Sequence, residues 1–237
     1  MSTYVYAITA ADHPVNLTDV AGVGEPAARL RAVGTKELTA VVSDAPADLR
    51  AKRRDLVAHQ TVLEGLMTDG AALPMRFGLV GPDDDQVIAV LEQQRDAYLD
   101  RLKEVDGCRE YNVKVARDEE DLLREIVTES DEIRELNGRT RQNPAAHDDK
   151  VALGELVSAE VQTRHERASQ ELVARLTRHA AGVSIGEPAK AYFLNASFLV
   201  RQEDAATFSQ SVHEEAEARG DVYTFSVNGP LPPYSFV

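Results

Sequence analysis

Six histidines, one cysteine and a few short acidic or glycine-bearing runs are the residues here that could do chemistry. Zinc needs paired His or Cys ligands at short, fixed spacing. His13, His59, His147, His165, His179 and His213 form no His-x-x-x-His pair, and Cys108 has no second cysteine. His59 and His165 each fall on the apolar face of a helical pattern, which fits a core histidine better than a ligand. His179 sits near a helix C-terminus, where positive charge is favoured. Cys108 follows a glycine at the start of a strand pattern and reads as buried packing. There is no Gly-x-Ser-x-Gly elbow. Gly22-Val-Gly24 lacks the third glycine of a dinucleotide loop, and no Gly-Lys-Ser/Thr occurs. Asp83-Asp84-Asp85 and Asp118-Glu-Glu-Asp121 are consecutive residues that share no helix face, so they read as negative charge at helix starts. Lys52-Arg53-Arg54 reads as a solvated helix face. No catalytic residue, metal ligand or cofactor is predicted.

Three features remain. In Leu73-Pro-Met-Arg-Phe-Gly78 an arginine interrupts an apolar strand pattern. Arg76 there needs a carboxylate or carbonyl partner, so it is expected to tie the strand to an acidic neighbour. The alternative is that Arg76 and Phe77 line a contact site. The segment Gly229-Pro-Leu-Pro-Pro-Tyr-Ser-Phe-Val237 is stiff and apolar. Proline fixes φ and removes a donor, so it can continue neither a helix nor an inner strand. It is expected to dock back on its own molecule with Tyr234 and Phe236 as anchors beside Pro233, either as a strap over a sheet edge or as a protein contact. Residues 119–180 form a helical pair that either packs on the sheet or engages a partner helix.

The elements that position these features follow from hydrophobic period. Thr3–Thr9 and Lys36–Asp44 read as strands. A helix follows with apolar positions Leu56, His59, Leu63, Leu66 and Met67, and Gly70 closes it. Ala72–Gly78 reads as a short strand. Asp83 with Gln86 opens a helix that runs to Gly107. Glu110–Ala116 alternates as a half-buried strand. Helices are expected over 119–137, ended by Asn137-Gly138, and over 150–181, with an exposed loop at 139–149. Ala189–Val200 is a strand, Glu203–Gly220 a helix, and Asp221–Asn228 a last strand. The expected fold class is α+β with two domains, residues 1–106 and 107–237. The second is close to β-α-β-β-α-β, ferredoxin-like, with a coiled-coil-like helical hairpin projecting from it. Its fourth strand is expected from a split of Ala189–Arg201 or from the tail.

Composition narrows the function. With 237 residues and a formal charge of −14, the chain suits two domains and disfavours nucleic acid and anionic membranes as partners. There is no apolar run of about 20 residues to span a bilayer, and Met1-Ser-Thr-Tyr-Val-Tyr has no signal-peptide character. A cytoplasmic protein is expected.

The chain resembles the gas vesicle proteins of the L/F type along nearly its whole length. The matching segments are Tyr4-Val-Tyr-Ala-Ile8, the His59-centred helix, Leu73–Gly78, Gly107-Cys-Arg-Glu-Tyr-Asn-Val-Lys114, Leu194-Asn-Ala-Ser-Phe-Leu-Val200 and the Gly229–Val237 ending. Each is weak alone; their order and separation are specific. One departure is Leu231, where the family's ending commonly carries an aromatic. The resemblance implies a non-enzymatic accessory or minor structural role in gas vesicle formation. It also implies association with the small hydrophobic shell protein and other accessory proteins, in the gas vesicle and cytoplasm. The competing reading is a small-molecule-binding or enzymatic domain on a ferredoxin-like scaffold, centred on Arg76, His59 or Cys108.

Overall fold

The computed structural model describes residues 2–17, 20–143, 145–188 and 191–237. Contacts divide the chain into two compact units, Met1–Tyr111 with Gly229–Val237, and Asn112–Asn228. The division falls after Tyr111, where the sequence predicts it near residue 107, and the tail groups with the first unit, where the sequence predicts it with the second.

The first unit contains β1 (Thr3–Ala10), β2 (Arg31–Gly34), β3 (Leu38–Asp44), α1 (Arg53–Asp69), β4 (Ala72–Pro74), β5 (Val80–Gly81), α2 (Asp84–Gln93) and α3 (Arg95–Val105). Its antiparallel sheet has the order β2-β3-β1-β4, with β5 also against β1. β1 is buried at every position but its last, because helices cover both of its faces. A bulge between Val5 and Ala7 shifts the side-chain alternation. Tyr4, Tyr6 and Ala7 therefore all join Val62, Leu63, Leu66 and Met67 of α1 in one core. α2 starts as its residues dictate. Asp83 caps it by accepting the Gln86 N–H at 2.8 Å. Asp84 accepts two hydrogen bonds from Arg31, at 3.0 and 2.9 Å, and one from Thr3 at 2.6 Å. Those bonds hold its carboxyl below the ordinary range and fix the helix start to the sheet. The helix expected to run unbroken to Gly107 is interrupted at Gln94, where the backbone leaves helical values.

The second unit follows β6 (Cys108–Arg117), which the division cuts at Tyr111. It holds α4 (Glu119–Glu129), α5 (Asp131–Gln142), α6 (His147–Leu176), β7 (Gly182–Ile185), β8 (Leu194–Arg201), α7 (Ala205–Arg219) and most of β9 (Tyr223–Leu231). The sheet order is β7-β8-β6-β9. Three expectations change here. The helix expected over 119–137 breaks at Ser130, whose side chain accepts the Ile133 N–H at 3.3 Å and so caps a new helix. That helix continues through Asn137-Gly138 to Gln142, which shrinks the expected 139–149 loop to residues 143–146; Pro144 lies outside the described residues. The additional strand is β7, paired with β8 in an antiparallel register, and comes neither from a split of 189–201 nor from the tail. Leu122, Ile126 and Ile133 form the core of the three helices, packed against Leu153, Leu156, Val157 and Val161 of α6. The molecule is thus a mixed α+β protein with two antiparallel sheets.

Candidate functional site

β4 stops at Pro74 and β5 resumes at Val80, both on the same edge of β1. The residues between them bend outward, and two buried side chains hold the bend. His59 of α1 is 2% exposed. Its Nε2 lies 3.0 Å from the Met75 carbonyl oxygen, which can only accept, so Nε2 carries the proton. Its Nδ1, 2.9 Å from the Tyr4 hydroxyl, therefore accepts from Tyr4. The Tyr4 oxygen in turn accepts the Gly78 N–H at 3.2 Å. The pair grips the bend at residues 75 and 78. Burial pushes the His59 imidazole below its usual pKa and the Tyr4 phenol above its own.

Phe77 points back inward. Its ring centroid lies 5.8 Å from that of His59 and 6.0 Å from that of Tyr4, both edge-on. Tyr6 stacks on His59 at 5.5 Å, and its hydroxyl accepts the Val23 N–H at 2.8 Å. Arg76 stands outside this cluster. It is exposed and forms no ion pair among the described residues. The expected acidic partner is absent because Arg76 lies in the bend, in water, and not within a strand.

The tail reaches the same cluster. Pro232 and Pro233 are buried and Phe236 is half-buried. Tyr234 packs against the core that holds Tyr4, Tyr6 and Leu63, as Phe77 does. Burial raises the Tyr234 phenol to about 12. A carboxylate fixes the turn. Glu110, 4% exposed, accepts the Ser235 N–H at 2.8 Å and the Ser235 hydroxyl at 2.7 Å. A Cβ on Gly229 would stand 2.7 Å from the Tyr111 ring and 2.9 Å from the Glu110 carbonyl, so only glycine passes there. The structure therefore brings Phe77 and Tyr234 to the first unit's core, buries Pro233, leaves Phe236 half-buried and leaves Arg76 exposed. The Glu110 latch had one sequence signal, an acidic residue inside an alternating apolar strand.

The side chains that the competing reading singled out have the following surroundings. Both His59 nitrogens are engaged. Cys108 is buried, with its thiol 3.4 Å from the Asp106 carbonyl. His165 stacks on Phe193 at 4.9 Å in the second unit. Among the described residues, no helix is long and apolar enough to cross a membrane.

Comparison with known proteins gives a consistent result. Residues 2–237 match the family described as gas vesicle synthesis protein GvpL/GvpF. The chain is 42% identical to gas vesicle protein F of Streptomyces sp. strain CB03234, with 100% of each chain covered. It is 28% identical to gas vesicle protein L of the same strain, over 98% of this chain and 91% of that one. The crystal structure of GvpF from Anabaena sp. PCC7120 superposes with a TM-score of 0.83 at 23% identity, covering 99% of this chain and 97% of that one.

Proposed function

The chain belongs to the GvpL/GvpF family of gas vesicle synthesis proteins, and from that membership we propose that it is a non-enzymatic accessory or minor structural protein in gas vesicle assembly. In this reading it binds the small hydrophobic shell protein and other accessory proteins, and is found with gas vesicles and in the cytoplasm. The match to the family over residues 2–237 carries the proposal. The interaction residues we assign are Arg76, as a solvent-facing contact, and Phe77, Pro233, Tyr234 and Phe236, which hold the surface around it in shape.

We read the second half as a ferredoxin-like domain with α4, α5 and α6 as a helical projection. The element order β6, helices, β7, β8, α7, β9 supports this, as does a sheet in which the first strand lies between the third and the fourth. Such scaffolds host many functions, so the assignment of role rests on the family and not on the fold.

Deletion of the gene in a vesicle-forming strain tests the role. The expected result is loss or malformation of vesicles by electron microscopy, restored by the wild-type gene. Normal vesicles in the deletion strain would overturn it.

A further inference from the structure

The second sheet ends on β9, whose one neighbour among the described residues is β6. Its other side therefore offers backbone N–H and C=O groups to water. Proteins ordinarily blunt such a margin by keeping the strand short, charging it or covering it. The other margins here are short: β2 and β7 have four residues each, β4 three and β5 two. β9 has nine. Its sequence, Tyr-Thr-Phe-Ser-Val-Asn-Gly-Pro-Leu, carries no charge on a chain in which 28% of residues are charged. It is also uncovered, since Thr224, Ser226, Val227 and Asn228 are all exposed. A long, uncharged, open edge is a template for an added strand.

The strand's own residues identify what is added. In a contact between identical copies about a two-fold axis, residues near the axis meet residues of their own kind. Two chains of net charge −14 repel each other, so such a contact needs a surface free of like charges, and β9 is one. Pro230 has no N–H to give, and the tail from Gly229 groups with the first unit, so the strand available runs from Tyr223 to Asn228. The Tyr223 ring is already engaged, with the Arg117 and Arg219 guanidinium groups 5.3 and 5.4 Å from its centroid. Val227, 48% exposed, is then covered by Phe225 of the other copy, which sets the axis at Ser226. Phe225 opposite Val227 is an aromatic–β-branched pair of the kind that stabilises antiparallel strands. Thr224 faces Asn228 on the polar side of the strand.

We propose that two copies of this chain associate through β9, paired antiparallel about a two-fold axis at Ser226, so that their second sheets run on as one. Backbone hydrogen bonds give the attraction, and the Phe225–Val227 pairs fix the register. The contact is short, at the small end of protein interfaces, below about 1,200 Å². The dimer therefore forms and separates with concentration, with a dissociation constant on the order of micromolar.

Sedimentation velocity of the full-length chain from about 1 to about 100 μM spans such a constant. Wild type is expected to move from 25.9 kDa toward twice that mass. Ser226→Lys and Ser226→Glu each set like charges face to face at the axis and should weaken the dimer about tenfold or more. Mixed in equal amounts, the two variants should recover a heterodimer, which a mere folding fault at Ser226 would not allow. Ser226→Cys should form an intermolecular disulfide on mild oxidation, since residues at the axis of an antiparallel pair lie within disulfide reach. Thr224→Cys should link far less by itself but readily with Asn228→Cys. Cys108 is buried and leaves the added thiol as the reactive one. Thermal melts check each variant's fold, and should a charged variant fail to fold, the cysteine series carries the test. A wild-type chain that stays monomeric at about 100 μM would overturn the proposal and leave β9 to a strand of another protein. A dimer that Ser226→Lys and Ser226→Glu both leave intact would overturn it by placing the contact elsewhere.

Discussion

The Tyr4 hydroxyl joins two parts of the first unit by serving as donor and acceptor at once. It donates to His59 and accepts from Gly78, so Tyr4→Phe removes both bonds while keeping the ring's packing. Gly78 is exposed and its N–H can turn to water. His59 Nδ1 is buried and cannot. An unpartnered buried acceptor costs about 1–3 kcal/mol, so Tyr4→Phe is expected to lower the unfolding free energy by roughly 1–2 kcal/mol, read from the urea midpoint at constant m. A midpoint equal to wild type would show that the bond has no net value. The histidine also imposes a pH dependence. Burial holds the folded imidazole below its ordinary pKa, which is about 6.5. As pH falls, the unfolded chain therefore takes up this proton first. Stability linked to neutral His59 is full above about pH 6.5 and declines as pH drops below it, at up to about 1.4 kcal/mol per pH unit. His165 shifts in the same direction, through burial and then the nearby Arg117, so the quantity to measure is a difference. His59→Gln should show a shallower loss of stability between about pH 6.5 and 5 than wild type. Parallel curves would mean that His59 titrates alike folded and unfolded.

The tail and the three-helix segment show how sequence pattern and structure part company. Tyr234 enters an aromatic core and Glu110 ties the following turn. Tyr234→Ala removes the buried ring and is expected to destabilise by about 2–3 kcal/mol, less than the 3–5 of a fully buried aromatic. Phe236→Ala, outside that packed cluster, should cost less. Differential scanning calorimetry checks the order, and equal melting temperatures for wild type and Tyr234→Ala would mean the tail is undocked. The tail's tendency to dock was legible in its prolines and aromatics. Its partner was not, because a nine-residue apolar string contains no information about which core has room for it. The strands β1, β3 and β8 were legible from their β-branched and aromatic runs. β2, β5 and β7 were not: each is two to four residues long, shorter than the period needed to show alternation, and each is set by pairing with a longer neighbour. The break at Ser130 is hidden in the sequence because Ile126, Ile133 and Leu136 keep an apolar spacing across it, although serine before Asp131-Glu132 has the character of an N-cap. Gly138 does not stop α5, because a glycine inside a helix costs only about 1 kcal/mol relative to alanine. At the candidate site, Phe77 and Tyr234 were named from sequence, whereas the His59–Tyr4 relay spans 55 positions and leaves no local signature.

For the molecule as a whole, the consequence lies in where the chain returns. Residues 229–237 belong by contact to the unit formed by residues 1–111. The first unit is then complete only when the last residues are in place, after everything between 112 and 228 has been made. Truncation after Asn228 removes Tyr234 from the core of Tyr4, Tyr6 and Leu63 and leaves the buried Glu110 carboxylate without its two Ser235 donors. Both losses fall on the first unit. Leu172, Leu176, Phe198 and Phe208, fully buried in the second, keep their surroundings. Local stability varies across a structure, and amide exchange reads it segment by segment. The chain ending at Asn228 is therefore expected to lose protection in β1 and α1 by about tenfold or more, if about 1.4 kcal/mol or more is removed, with β8 and α7 close to wild type. A uniform loss in both units would show that they open together, and unchanged protection in β1 would show that the tail contributes nothing to the core it covers.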